Sequence, residues 1–317
     1  MDIRRSEMTD VYSIGEMLID FIPGSEPASY IRKAGGAPAN VAIAAAKNGL
    51  SVSMCCKVGD DDFGRFLMDT LKEHDVKAAC PEFCREAVTT MAFVTLEADG
   101  ERKFTFARKP GADMLLCEED VKAEDIEASV MIHAGSCSLS AHPVAEATVK
   151  AMRLAHEKGK LVSFDLNYRN VMWDDDQSAC AKCVMDVLKY VDFLKISEEE
   201  VDMVGGEENL FGLMKEYGIA VVVLTLGSAG ARAYFQGQTI EIAGRKAKAV
   251  DATGAGDAFW GGFLSCLRIQ EVSRVQDLTA EKIQKAIEYG NVSGFICVQT
   301  KGAIASLPTR AQIEAYL

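Results

Sequence analysis

Apolar residues gather in short blocks at 11–14 and 17–22, parted by Gly15 and Glu16, which reads as one strand with an interruption. A second block at 91–96 passes through Asp99-Gly100 into the alternating stretch 103–106, and Asp-Gly is among the strongest short hairpin signals. No helical period separates those two strands. From residue 130 onward, strand is followed by helix. A strand at 130–134 leads to a helix over 143–158 closed by Gly159, and 161–165 leads to a helix around 176–190. A third strand at 193–196 runs into an acidic helix start at Ser197. The run 221–226 is β-branched and apolar at successive positions, as in a parallel strand buried on both faces. Repeating βα units of this kind predict an α/β fold with a mostly parallel central sheet flanked by helices. The hairpins, insertions at about 16–34 and 90–110, then read as a small β-sheet lid beside the core.

At ~150 residues per domain, 317 residues would suggest two domains, but large α/β folds exceed that length as one. No low-complexity linker and no internal repeat divides the chain, so a single domain over residues 1–317 is expected. With 49% hydrophobic and 26% charged residues, the composition excludes a disordered or fibrous chain. The net charge of -13 disfavours nonspecific binding to nucleic acid or to an anionic membrane surface. A small anionic ligand stays compatible, because one local pocket can oppose the global balance. Residues 1–10 carry mixed charge and no apolar stretch of the signal-peptide kind, and no run approaches the ~18 apolar residues of a membrane span. Cys180 and Cys183 form a C-x-x-C without a second pair at zinc spacing, so the ten cysteines read as free thiols. A cytoplasmic location is expected.

Chemistry concentrates in two glycine-rich segments. In Asp251-Ala252-Thr253-Gly254-Ala255-Gly256-Asp257, glycines immediately precede the helical stretch 258–267. Such glycines let successive N–H groups converge, and the helix N-terminus adds partial positive charge, which suits phosphate oxygens. An aspartate in that first turn stands where it could take a proton from an incoming hydroxyl. The plainer alternative is that Asp251, Thr253 and Asp257 cap an ordinary helix. Gly261 and Gly262 inside the helix each cost ~1 kcal/mol against alanine, which points to a close backbone approach there. The segment lacks the G-K-[ST] ending of a P-loop, and Gly15-Glu16-Met17 supplies no dinucleotide fingerprint, which argues against a nicotinamide dehydrogenase.

The earlier segment, Gly35-Gly36-Ala37-Pro38-Ala39-Asn40, enters an alanine- and valine-rich helix over 41–48 stopped by Gly49. Asn40 is the amide on that otherwise apolar helix. Two readings stay open, a satisfied core asparagine or a group that recognises a ligand hydroxyl. Phe104 and Phe106 likewise suit a closing apolar lid face, ordinary strand packing or a dimer surface.

Taken together, the two segments resemble the paired signatures of the ribokinase-like sugar kinases, the phosphofructokinase B family, with fructokinases the nearest group. The resemblance runs from Ile14-Gly15-Glu16 to Ser306-Leu307-Pro308 and includes Gly15-Glu16-Met17-Leu18-Ile19-Asp20, Gly100-Glu101-Arg102-Lys103-Phe104, Gly111-Ala112-Asp113 and Phe164-Asp165-Leu166-Asn167-Tyr168-Arg169. It implies a ribokinase-like three-layer fold whose lid covers the sugar, and ATP-dependent phosphorylation of fructose at its primary hydroxyl. It implies Asp257 as general base, with Gly254, Ala255 and Gly256 as the anion hole for the transferred group. Asp20, Gly35, Gly36, Asn40, Phe104 and Arg169 would contact sugar. Lys195, Ser197, Thr225, Gly227, Gly230 and Asn291 would line the nucleotide. Glu200 would serve Mg2+, and Asp251, Thr253, Cys297, Thr300, Gly302 and Ser306 a monovalent cation, K+. Where the family often carries Asn-x-x-Glu, this chain has Ser197-Glu198-Glu199-Glu200. 2-Keto-3-deoxygluconate kinases share much of the pattern, and an inactive kinase fold serving as a scaffold is the alternative from another class. A homodimer through the lid strands would cover their open edges.

Overall fold

The computed structural model describes residues 8–26, 28–96 and 102–317. The Asp99-Gly100 turn and the Phe104 side chain lie outside what is described. Thirteen strands are present among the described residues. In chain order they are β1 (Thr9–Ile14), β2 (Leu18–Pro23), β3 (Tyr30–Gly35), β4 (Val52–Cys55), β5 (Val76–Ala78), β6 (Met91–Leu96), β7 (Arg102–Ala107), β8 (Ser129–Gly135), β9 (Leu161–Asp165), β10 (Phe193–Ser197), β11 (Val221–Thr225), β12 (Gly230–Phe235) and β13 (Gln238–Ala243). The helices begin with α1 (Ala37–Lys47), α2 (Asp62–Glu73), α3 (Ala123–Glu127), α4 (Val144–Glu157), α5 (Gln177–Val187) and α6 (Leu210–Tyr217), followed by α7 (Ala255–Ile269) and α8 (Ala280–Cys297).

Nine strands form one sheet in the order β13-β12-β11-β10-β9-β8-β1-β4-β5. Its pairings are parallel except at β11–β12 and β12–β13. Side chains alternate between two apolar layers, as a sheet covered on both faces requires. On β11, Val221 and Val223 pack with Trp260 and Phe263 of α7, whereas Val222 and Leu224 join the layer holding Met152 of α4 and Val184 of α5. The second sheet, β3-β2-β6-β7, joins two antiparallel hairpins through parallel β2–β6 pairing. This is the expected lid.

Three local expectations are corrected. The block 11–22 is two strands in different sheets, β1 pairing with β4 and β8 while β2 pairs with β3 and β6. Apolar periodicity reports extended backbone but not which sheet a strand joins. The helix expected around 176–190 ends as α5 at Val187, with a 3-10 turn over Leu188–Tyr190. The acidic stretch at Ser197 starts no α-helix but a turn and a 3-10 segment, Val201–Val204. The carboxylate of Glu200 is occupied instead by the backbone N–H groups of Tyr168 (2.7 Å) and Ser197 (2.9 Å), so it ties the loops after β9 and β10 together.

Gly261 and Gly262 show why α7 tolerates them. A Cβ on Gly261 would stand 2.5 Å from the Cβ of Ala44 on α1, and one on Gly262 would stand 2.9 Å from Ser293 on α8. Helix propensity alone would have Gly261→Ala stabilise by ~1 kcal/mol. Overpacking against α1 reverses that sign, and a net loss of ~1–3 kcal/mol is expected. A urea-unfolding midpoint at or above wild type would contradict this packing account.

Candidate active site

Loops at the carboxyl ends of parallel strands are where open α/β sheets carry ligands. Here the ends of β1, β9 and β10 place Glu16, Asp165 and Lys195 around that edge. The lid adds Leu18 and Asp20, and α1 adds Asn40, to the wall of a cavity of about 780 Å³. Arg169, Tyr168 and Asn167 line the same cavity from the loop after β9, and Phe106 lines it from β7. A second cavity of about 560 Å³ is bounded by Ser197, Thr225, Gly227, Gly230, Asn291 and Phe259. Ala249, Ala252 and Gly256 belong to both walls. The two clefts therefore meet at the start of α7.

That helix start is a glycine cap. Gly254 is the N-cap with φ of 78°, and no side chain caps the helix, so Asp251, Thr253 and Asp257 are not capping residues. A Cβ at Gly254 would stand 2.8 Å from that of Ala303 and would also strain the backbone. Ala255 N–H bonds the Ala252 carbonyl at 3.1 Å. Gly256 and Asp257 occupy first-turn positions whose N–H groups have no upstream helical carbonyl to bond. They present donors and the positive end of a 15-residue helix to the junction of the two clefts.

Asp257 is buried, and its Oδ2 accepts from Asn40 Nδ2 at 2.8 Å. Asn40 Oδ1 is buried without a partner, so the asparagine is only half satisfied by the protein. Across the cavity, burial and then the nearby charge of Asp257 push the Asp20 carboxyl up to about 6. Gly35 stands against Asp20 with no room for a side chain, which keeps the carboxylate in place. Glu16 is buried, accepts from Ala37 N–H at 3.3 Å, and is pushed up to about 7, mainly by that burial. Arg169 is exposed at the cavity wall.

Lys195 on β10 is buried against Asp165 on β9, its Nζ 2.9 and 2.8 Å from the two carboxylate oxygens. Neither Asp165 nor Glu16 was assigned a role from sequence. Asp165 had a legible signal, a carboxylate closing an apolar strand at its carboxyl end. The six residues ascribed to a monovalent cation come from three segments that the fold joins. Asp251 accepts from Thr253 N–H (2.9 Å) and Gly302 N–H (3.0 Å). The Cys297 thiol lies 3.0 Å from Ser306 Oγ and 3.8 Å from the Thr253 carbonyl, and Thr300 N–H bonds the Cys297 carbonyl at 3.3 Å. Asn291 Nδ2 bonds the Ile242 carbonyl at 3.1 Å, at the wall of the second cleft. Among the described residues, no group of three or more His, Cys, Asp or Glu side chains could hold a metal ion.

The profile of the pfkB family carbohydrate kinases matches residues 8–310. The chain belongs to that family. A fructokinase of Oryza sativa subsp. japonica, fructokinase-1, is 39% identical over 319 residues, covering 98% of this chain and 97% of the rice protein. The crystal structure of a Xylella fastidiosa fructokinase with bound ATP superposes with a TM-score of 0.88 at 29% identity, covering 96% of this chain and 97% of that one. A Vibrio cholerae fructokinase, solved in fructose-, ADP- and calcium-bound form, gives 0.87 at 32% identity over 98% and 99% of the two chains. A double mutant of the Vibrio protein was solved with fructose, ADP and potassium. The pfkB kinase fold thus accounts for both sheets. No helix among the described residues is long and apolar enough to cross a membrane.

Proposed function

We propose that this pfkB kinase is an ATP-dependent fructokinase that transfers the γ-phosphoryl group to the 6-hydroxyl of fructose, as one domain with lid insertions near 16–34 and 90–110. The observation that carries it is the meeting of the two clefts at the start of α7, with Asp257 beside the junction. Fructose in the larger cleft is held by Asp20, Asn40 and the backbone at Gly35 and Gly36. The Asp257 carboxylate takes the 6-hydroxyl proton while Asn40 fixes its orientation. ATP lies in the second cleft along Thr225, Gly227, Gly230 and Asn291, its γ-phosphoryl toward the amides of 254–256. Positioning and charge neutralisation supply most of the rate, because phosphoryl transfer asks little covalent chemistry of the protein. The lid strands, with Phe106 at the cavity wall, exclude water that would compete as acceptor.

Magnesium, when bound, neutralises phosphate charge. Glu200 already receives two backbone N–H bonds and would meet that ion through its water shell. Asp251 and its partners would hold a monovalent cation beside the anion hole. Homodimerisation through the lid edges and a cytoplasmic location complete the reading.

One observation favours a second substrate. The Arg169 guanidinium on the sugar cavity would pair with the carboxylate of 2-keto-3-deoxygluconate. A sugar panel with coupled ADP detection decides between them. Fructose is expected to exceed the acid and ribose in kcat/KM, and the reverse order would overturn the assignment. An inactive scaffold would bind neither ATP nor sugar in calorimetry.

The pH profile tests Asp20. Hydroxyl donors bind its ionised form, and its carboxyl titrates near 6 in the free enzyme. The value of kcat/KM for fructose is therefore expected to fall as pH drops through about 6. In Asp20→Asn that acid limb should lose its Asp20 component while kcat/KM falls throughout. An unchanged limb would assign it to another group.

A further inference from the structure

Gly111-Ala112-Asp113 carry part of the family resemblance, yet the scheme above gives them no task. Asp113 lies in a 3-10 turn, Ala112–Leu115, just beyond the lid, and is 2% exposed. Its partner Arg108, 8% exposed, directly follows β7. Arg108 Nε and Nη2 lie 2.9 and 2.8 Å from Asp113 Oδ2, and Nη1 lies 3.3 Å from Ser140 Oγ. Ser140 in turn donates to the Cys137 carbonyl at 2.7 Å, in the core segment that follows β8. The other carboxylate oxygen, Asp113 Oδ1, accepts from the Thr90 hydroxyl. A Cβ on Gly111 would collide with that hydroxyl and stand 2.8 Å from Asp113 Oδ1, so the three groups are packed without spare room.

Burying an ion pair is costly, and apolar residues of similar volume often stabilise a core as well or better. Stability is thus a poor account of the pair. Its position offers a better one. The chain passes between the two sheets after β1, after β3, before β6 and after β7. Arg108 stands at the last of these crossings and Thr90 immediately before β6. The Thr90 carbonyl accepts from Ile19 N–H at 3.0 Å, and Ile19 precedes Asp20 on β2. Two residues before Arg108, Phe106 lines the cavity. One buried carboxylate therefore reaches both lid strands that present side chains to the sugar. The base of β6 is also tied to the core, because Asp61, the cap of α2, accepts from the Thr89 N–H and hydroxyl, each at 2.8 Å. At the crossing after β1, burial pushes the Glu16 carboxyl up and the Arg108 charge opposes that push, so this junction belongs to the same network.

We propose that Arg108 and Asp113 are positioning residues that set where the lid strands stand over fructose, holding Phe106 through Arg108 and Asp20 through Thr90 and Ile19. This deepens the fructokinase reading and rests on it. Neither residue belongs to the cavity wall, so both act through the strands they hold. With the strands in place, Asp20 meets the sugar hydroxyls and the wall keeps water from the transferred group. With the pair broken, the strands shift and two losses follow. Fructose binds more weakly, because its partner on β2 is displaced. Water also gains access to the γ-phosphorus in place of the 6-hydroxyl. Its oxygen bonds to that phosphorus as its proton passes to Asp257, and the bond to the bridging oxygen breaks with its electron pair leaving on ADP. The products are ADP and inorganic phosphate, and no sugar is consumed.

The test compares Arg108→Met, Arg108→Lys and Thr90→Val with wild type. Three quantities are measured beside Tm: the KM for fructose, the KM for ATP, and ATP hydrolysis without sugar as a fraction of fructose turnover. Arg108→Met is expected to raise the fructose KM about tenfold, the scale of one lost hydrogen bond to a charged group. The ATP KM should stay within about threefold, while the hydrolysis fraction rises about tenfold as water enters. Arg108→Lys keeps the charge and should recover part of both effects. Thr90→Val keeps the shape and the carbonyl bond to Ile19 but removes the hydroxyl from Asp113, and about a fivefold rise in fructose KM is expected. A folded Arg108→Met enzyme with wild-type fructose KM and wild-type hydrolysis fraction overturns the proposal, as does one in which both KM values rise equally. Should Arg108→Met fail to fold, Thr90→Val decides, because it leaves the ion pair whole, and unchanged fructose KM and hydrolysis fraction at unchanged Tm then refute the positioning role. Wild type that phosphorylates no sugar overturns the function itself, whereas active wild type with an indifferent Arg108→Met overturns this inference alone.

Discussion

Asp257→Asn is expected to lower kcat for fructose by ~10²-fold or more, the scale on which a positioned general base contributes. The substitution conserves shape, and an asparagine can still present its oxygen to Asn40 Nδ2, which now bonds Asp257 at 2.8 Å. Folding and the cavity wall should therefore survive, and only the capacity to accept a proton is lost. Fructose KM should move far less than kcat, because the hydroxyl still finds a polar partner at that place. Steady-state kinetics with a thermal melt provide the check. Turnover near wild type with an intact fold would transfer the base role to another group, and Asp20, across the same cavity, would be the next residue to examine.

Gly254→Val is expected to cost as much by a different route. Gly254 caps α7 at φ of 78°, a conformation that a β-branched residue adopts only with strain. Its new side chain would also meet Ala303, whose Cβ lies 2.8 Å from where the first added atom would stand. Backbone strain of ~1–3 kcal/mol is enough to displace the first helical turn rather than unfold the domain. The amides proposed to meet the transferred group would then be misaligned, and loss of one such donor typically costs ~10²–10³ in kcat. A lower Tm together with that loss of kcat is the expected result. A variant with normal kcat would show that the amides at 254–256 do not bind the transferred group.

The two variants separate roles that share seven residues of sequence. Under the proposed scheme Asp257 acts through a side-chain proton acceptor, so its loss should lower kcat without lowering Tm. Gly254 would act through backbone direction, so its replacement should lower Tm together with kcat.

Much of this was legible in the chain itself. Apolar runs such as 221–224 marked strands buried on both faces, because only a sheet covered by two helical layers removes all four of those side chains from water. Pro38 and Gly49 bracketed α1, and the cluster from Asp251 to Asp257 announced a helix start able to receive an anion. Local chemistry decides such features, and local chemistry is written in order. The structure altered what depended on distant partners. Residues 11–22 divided between two sheets, because ladder hydrogen bonds come from strands tens of residues away. Glu200 became a tie between two loops rather than part of a helix start, because Tyr168 and Ser197 presented N–H groups to it.

The paired glycine segments pointed to a sugar kinase through their resemblance to the family's signatures, while the residues by themselves marked a helix start suited to an anion with an aspartate beside it. Tertiary structure alone joined Asn40 to Asp257 across 217 positions and set Lys195 against Asp165 and Gly256. It also satisfied the acceptor of Asp257 while leaving Asn40 Oδ1 without a partner. The reason is physical: a short motif specifies its own backbone, whereas the charge and hydrogen bonding at an atom depend on every group that burial brings near it.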